Sequence, residues 1–147
     1  MKVLDLGCGP EKERWIPGAI GMDLNDVGDH PNAVIADAQD EWPFPNESFD
    51  MIIARYSLSY MYIDRDDLKH LLSEIYRTLK QYGKAIIVDY RHVYDEEQGD
   101  YIDVDYLIIQ LQLQNALYYV PHLEVESETS RDEFGGTEYV WILNKVW

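Results

Sequence analysis

Apolar positions in this chain fall into short blocks separated by turn-rich segments, and the spacing within the blocks changes from one to the next. Residues 2–6 form a mostly apolar run that stops at Gly7-Cys8-Gly9-Pro10, the pattern of a buried strand entering a glycine turn. Residues 19–24 and 33–38 read as two further short buried strands. The segment between them, 25–32, is turn-rich and too short for an ordinary crossover helix, so regular βαβ alternation lapses there. Residues 49–56 predict a fourth strand behind the turn segment 43–48.

The clearest helix covers residues 65–80. Leu68, Leu71, Leu72, Ile75 and Leu79 share one apolar face, Asp64 is placed to cap its start, and Lys80 with Gly83 marks its exit. Residues 83–89 then predict a fifth strand, apolar on both faces as a parallel sheet requires. After a polar stretch holding Asp95, Glu96, Glu97 and Asp100, the spacing of Tyr106, Ile109, Leu113 and Leu117 predicts a second amphipathic helix over 103–117. Leu107, Ile109, Leu111 and Leu113 also alternate with glutamines as in a strand; the length of the segment favours the helix. Residues 123–129 and 137–147 predict an antiparallel hairpin, separated by 130–136, that closes one sheet edge.

Composition narrows the partners more than the fold. The chain has 147 residues, 46% of them hydrophobic, which suits one domain over 1–147 able to fold without disulfides or metal. Twelve Lys and Arg against 28 Asp and Glu leave a formal charge of −16. That excess disfavours nucleic acid, whose phosphates need clustered cations, and docking on an anionic membrane. The single cysteine, Cys8, excludes an internal disulfide and any multi-cysteine metal site. With no apolar run of membrane-spanning length and Asp5 following the first residues at once, the expected compartment is the cytoplasm.

Candidate chemistry sits at the ends of the predicted strands. In an open α/β sheet, ligands bind beyond the carboxyl ends of the strands, near the switch in strand order. Gly7 and Gly9 allow close backbone approach and positive φ, although they also suit an ordinary strand-to-loop turn. Asp23 ends the second strand, where a carboxylate can accept both hydroxyls of a ribose, or simply face solvent. Asp37 ends the third, within reach of an adenine amino group. Tyr56, Tyr60 and Arg91 are candidates for an acceptor side; Tyr118-Tyr119 reads as an edge of the core. The four histidines, His30, His70, His92 and His122, are scattered and read as surface residues.

Together these motifs support a resemblance. Val3-Leu4-Asp5-Leu6-Gly7-Cys8-Gly9-Pro10 resembles the first motif of class I S-adenosylmethionine-dependent methyltransferases. Ala36-Asp37-Ala38, followed by Trp42-Pro43-Phe44-Pro45-Asn46-Glu47-Ser48-Phe49-Asp50, is similar to that family's adenine-side loop and fourth strand. Residues 72–87 resemble its helix-to-fifth-strand signature. The resemblance implies a Rossmann-like, mostly parallel seven-stranded α/β sheet with an antiparallel C-terminal hairpin. It implies S-adenosylmethionine as cofactor, with Gly7, Cys8 and Gly9 along the methionine moiety and Asp5 organising the loop or the cofactor's amino group. Asp23, with Leu24 beside it, would hold the ribose, Asp37 and Ala38 would meet the adenine, and Arg55 and Tyr56 would face the cofactor or the acceptor.

The chain departs from the family pattern at several points. Glu11 replaces the third glycine of the first motif, Tyr60 stands where a histidine is common, and Gln81-Tyr82-Gly83 replaces Pro-Gly-Gly. The N-terminal lid helices are expected to be absent, so a homodimer or partner subunit is expected to cover the site. The implied activity is methyl transfer to a small-molecule or protein acceptor, with catalytic residues unidentified; the alternative is a noncatalytic cofactor-binding or scaffold subunit. A nicotinamide dehydrogenase also uses a glycine loop and an acidic strand end, but it leaves Asp37 and Pro43-Phe44-Pro45 unexplained.

Overall fold

A computed structural model describes residues 1–8, 18–24, 32–55, 68–90, 92–95, 97, 99–103, 113–133 and 136–146. Nine strands follow one another among them: β1 (Val3–Leu6), β2 (Ile20–Asp23), β3 (Ala33–Ile35), β4 (Phe49–Arg55), β5 (Leu79–Tyr90), β6 (His92–Asp95), β7 (Asp100–Asp103), β8 (Leu123–Glu133) and β9 (Gly136–Lys145). Helix α1 (Lys69–Thr78) lies between β4 and β5, and residues 113–118 are helical. Seven strands form one sheet in the order β3-β2-β1-β4-β5-β9-β8. The first five pair in parallel, and β9 runs antiparallel to both β5 and β8. The expected α/β architecture, with its antiparallel C-terminal hairpin, is therefore present.

Strand alternation divides the apolar residues between two faces. One face presents Leu4, Leu6, Met22, Ile52, Ala54, Ala85, Ile87, Trp141 and Leu143 to a large core. That core also holds Leu68, Leu71, Leu72 and Ile75 beside α1, and Leu113, Ala116 and Val120 around the second helical segment. A smaller cluster on the opposite face joins Val3, Ala19 and Ile53, with Met51 and Ile86 against it. Each fully buried Leu or Ile contributes about 1.5–3 kcal/mol, so α1 is held by its apolar face rather than by its ends. Its N-cap position, Leu68, makes no side-chain capping bond.

Several boundaries differ from the sequence expectation. The helix ends at Thr78, not Lys80, because Leu79 already pairs with Phe49 as the first residue of β5. Asp64, the expected cap, lies outside the described residues. The third strand stops at Ile35, and Ala36–Asp40 leaves it as a turn. The polar stretch after β5 is a small antiparallel hairpin, β6–β7, with His92 opposite Asp103 and Asp95 opposite Asp100. Asp103 is thus strand rather than the start of a helix, and helix is described only over 113–118. Residues 130–133, expected as connection, extend β8, with Arg131 opposite Glu138 and Glu133 opposite Gly136.

The sheet margin away from the carboxyl ends is closed by polar contacts. Asp50 accepts from the Lys2 amide at 2.7 Å and pairs with Lys80 at 3.5 Å. Lys145 donates to the Leu79 carbonyl at 2.7 Å, with its ammonium 4.4 Å from the centre of the Tyr76 ring. Burial pushes the Lys145 pKa down, opposed in part by Glu47. A buried cation thus meets the backbone carbonyl just past the end of α1, where the helix dipole favours positive charge.

Candidate functional site at the carboxyl ends of the parallel strands

The parallel register brings the ends of β1, β2 and β4 to one sheet margin, where Gly7, Asp23 and Arg55 stand in neighbouring strands or just past them. Gly7 follows β1 with φ 72, a left-handed conformation that a side chain would strain. The turn this allows sends the Gly7 amide to the Met22 carbonyl at 2.8 Å and the Cys8 amide to the same oxygen at 3.3 Å. Both donors are therefore committed to β2. A phosphate cradle would aim such amides outward, so this part of the loop lacks the donor arrangement a dinucleotide needs.

Two residues before Gly7, β1 carries a buried acid. Asp5 is 4% exposed, in the strand position between Leu4 and Leu6 and opposite Ile53 of β4. Two residues further along β4, the Arg55 guanidinium approaches it, with Nη2 3.7 Å from Asp5 Oδ2. The pair spans the two strands whose ends flank the switch in strand order.

The acids at 23 and 37 are linked through the backbone. Ala36 donates its amide to the Asp23 carbonyl at 2.9 Å, so the chain leaving β3 is tied to the end of β2. Asp37 then accepts from the Gln39 amide through Oδ1 at 2.9 Å and from the Asp40 amide through its carbonyl at 3.1 Å. This side-chain-closed turn is the conformation Asp favours, and it presents the Asp37-Ala38 backbone on the same margin as Asp23.

The turn is held from below by a set of contacts that sequence reasoning missed. The Trp42 indole N–H donates to the Ala38 carbonyl at 2.8 Å, and the Trp42 amide donates to Glu74 Oε2 at 2.8 Å. Arg77 grips Glu74 with two bonds, Nε to Oε1 at 2.9 Å and Nη2 to Oε2 at 2.6 Å. Its remaining donors reach the Phe44 carbonyl at 2.7 Å, Asn46 Oδ1 at 3.0 Å and the Trp42 carbonyl at 3.2 Å. Burial pushes the Glu74 carboxyl upward, but the hydrogen bonds from Arg77 and the Trp42 amide outweigh it and hold the group below the usual carboxylate range. One sequence signal for this pair exists: Glu74 and Arg77 stand three residues apart on one helix, the spacing at which side chains meet.

Of the residues singled out from sequence, the structure brings together Asp5, Gly7, Cys8, Asp23, Leu24, Asp37, Ala38 and Arg55 at or beneath this margin. Leu24 is exposed on it, as is Ile35 at the end of β3. Gly9, Tyr56, Tyr60, Arg91 and His30 lie outside the described residues. His70 and His122 are exposed, as expected. Tyr118 and Tyr119 differ from expectation: they are 79% and 60% exposed, in edge-to-face contact at 5.4 Å, with Lys69 4.3 Å from the Tyr119 ring centre. Among the described residues no group of His, Cys, Asp and Glu is arranged to hold a metal ion, and no helix is long and apolar enough to cross a membrane.

A parallel sheet ordered β3-β2-β1-β4-β5 and continued by a reversed strand inserted before its last neighbour is the fold of the class I S-adenosylmethionine-dependent methyltransferases. Residues 17–87 match the family model described as a methyltransferase domain. None of the curated proteins matches the chain in sequence. An S-adenosylmethionine-dependent methyltransferase of Methanosarcina mazei superposes with a TM-score of 0.69 at 16% identity, over 99% of this chain and 92% of that one. The cyclase SpnF gives 0.65 at 15% identity, over 98% and 75%. A Haloferax volcanii protein solved in complex with the Trm112 methyltransferase activator gives 0.62 at 18%, over 98% and 82%. At these identities the likeness is one of fold.

Proposed function

We propose that the chain binds S-adenosylmethionine across the ends of β1, β2 and β4 and transfers its methyl group to a small-molecule or protein acceptor. The observation that carries this reading is the hydrogen bond from the Ala36 amide to the Asp23 carbonyl, which sets the Asp37 turn beside the end of β2. The residues present fit the cofactor in the chemistry of their donors. The Gly7 and Cys8 amides are spent on Met22, and the charged group two residues back along β1 is the Asp5 carboxylate, a combination that disfavours a phosphate. Asp23 supplies two acceptor oxygens for a ribose diol, and the Asp37-Ala38 turn supplies a polar edge for adenine.

Bound here, S-adenosylmethionine supplies a methyl group on a sulfonium whose thioether leaves neutral. The protein's part is alignment and exclusion of water: Gly7 allows close approach, Asp23 fixes the ribose, and Arg55 keeps the Asp5 charge partly balanced. The exposed Leu24 and Ile35 form an apolar rim beside this site. With the activator complex of the Haloferax neighbour, they support a cover supplied by a second copy or a partner subunit.

Asp23→Ala should lower affinity for S-adenosylhomocysteine by about tenfold or more in calorimetry, as expected for losing two hydrogen bonds to a charged acceptor. Unchanged affinity would remove the ribose role. The cyclase among the fold neighbours illustrates that a shared fold does not determine the reaction, so transfer itself has to be measured against binding alone. Transfer of label from methyl-labelled cofactor to a component of a cell extract supports the enzyme. Tight cofactor binding without transfer supports the noncatalytic subunit.

A further inference from the structure

The turn that carries Asp37 is not free-standing. Its Ala38 carbonyl is held by the only donor of the Trp42 indole, and Trp42 is 2% exposed, so the ring cannot pivot without disturbing the core. The backbone of Trp42 is held in turn by Glu74, 6% exposed, and Glu74 is oriented by the two-pronged grip of Arg77. Arg77 also binds the carbonyls of Phe44 and Trp42 and the side chain of Asn46. Helix α1 thus dictates the height of a turn more than thirty residues earlier in the chain.

We propose that Trp42, Glu74 and Arg77 are positioning residues for the adenine end of the pocket, fixing the 37–40 turn where Asp37 selects a purine bearing a 6-amino group. This rests on the S-adenosylmethionine reading above. One Asp37 oxygen is engaged by the Gln39 amide, so the direction of the carboxylate follows the turn. A carboxylate so aimed accepts from an amino group and opposes a 6-oxo group, which presents an acceptor in the same place. Discrimination of this kind needs placement to about half an ångström, and a turn released from the indole loses it.

Calorimetry with S-adenosylhomocysteine and its inosine counterpart, S-inosylhomocysteine, tests the proposal. Trp42→Phe keeps an aromatic ring in the core and removes the N–H. The wild type should prefer the adenine compound by about tenfold or more. Trp42→Phe should bind that compound about five- to tenfold more weakly while its affinity for the inosine compound hardly changes, at unchanged far-ultraviolet circular dichroism. The preference then shrinks by the same factor, and Glu74→Gln should move it in the same direction. If Trp42→Phe fails to fold, Glu74→Gln decides. A wild-type preference retained in the folded variants, or no preference in the wild type, overturns the positioning role and leaves the cofactor reading intact. A wild type that binds neither compound overturns that reading and this proposal with it.

Discussion

Tyr82 takes φ 65 in the turn-like irregularity of β5 between Leu79 and Lys84, a conformation in which an L side chain is strained. The next residue explains why the turn contains a glycine without using it for that conformation. A Cβ on Gly83 would stand 2.8 Å from the Lys80 carbonyl oxygen and 3.0 Å from that of Asp50, both backbone atoms that cannot yield. Space therefore demands glycine at 83 while conformation favours it at 82, and the Gly-Gly of the family pattern answers both demands. The Tyr82 side chain is 74% exposed and leaves little packing to lose. Tyr82→Gly should stabilise the chain by about 1 kcal/mol, read calorimetrically as a rise of about 2–4 °C in Tm. A lower Tm would mean that the exposed ring contributes more than the strain costs.

At the scale of elements, α1 shows which features were legible from sequence. Its apolar face was, because Leu68, Leu71, Leu72 and Ile75 repeat at helical spacing and all enter the core. Its end was not, because Leu79 suits the helical stripe and equally the first ladder position opposite Phe49. The β6–β7 hairpin escaped notice since its acidic residues are poor strand formers. At the candidate site, Asp23 and Asp37 were readable as punctuation at strand ends. Of the Trp42–Glu74–Arg77 contacts only the three-residue spacing of Glu74 and Arg77 was, since the bonds to Trp42 cross more than thirty residues and leave no local pattern. The same helix gives a pH dependence. Glu74 has a folded pKa below its ordinary value of 4.5, so the folded state binds fewer protons than the unfolded chain as pH falls toward it. Its stabilisation is present above that ordinary value and is lost as pH drops through the lowered one. Glu74→Gln should cost about 1–2 kcal/mol at neutral pH and flatten the acid side of a plot of Tm against pH. An acid limb as steep as that of the wild type would show that other carboxylates carry it.

For the whole molecule, the charge of −16 bears on how the proposed site is covered. Two copies repel each other at long range, and salt screens that repulsion within about 8–10 Å at physiological strength. If a second copy supplies the cover, light scattering should show mass moving from one chain toward two as sodium chloride rises, with S-adenosylhomocysteine favouring the pair. A chain that stays monomeric at every salt concentration and transfers methyl groups without a partner would remove the proposed cover. The place of β9 has a consequence for biosynthesis. This strand is the last of the nine in chain order, yet it is the one that joins β5 to β8. On the ribosome, one side of β5 must wait as an open edge, and β8 has no strand to join, until β9 has cleared the exit tunnel. The sheet can build outward from β1 as synthesis proceeds, but it closes only once β9 has emerged, and until then the nascent chain depends on that open edge being shielded.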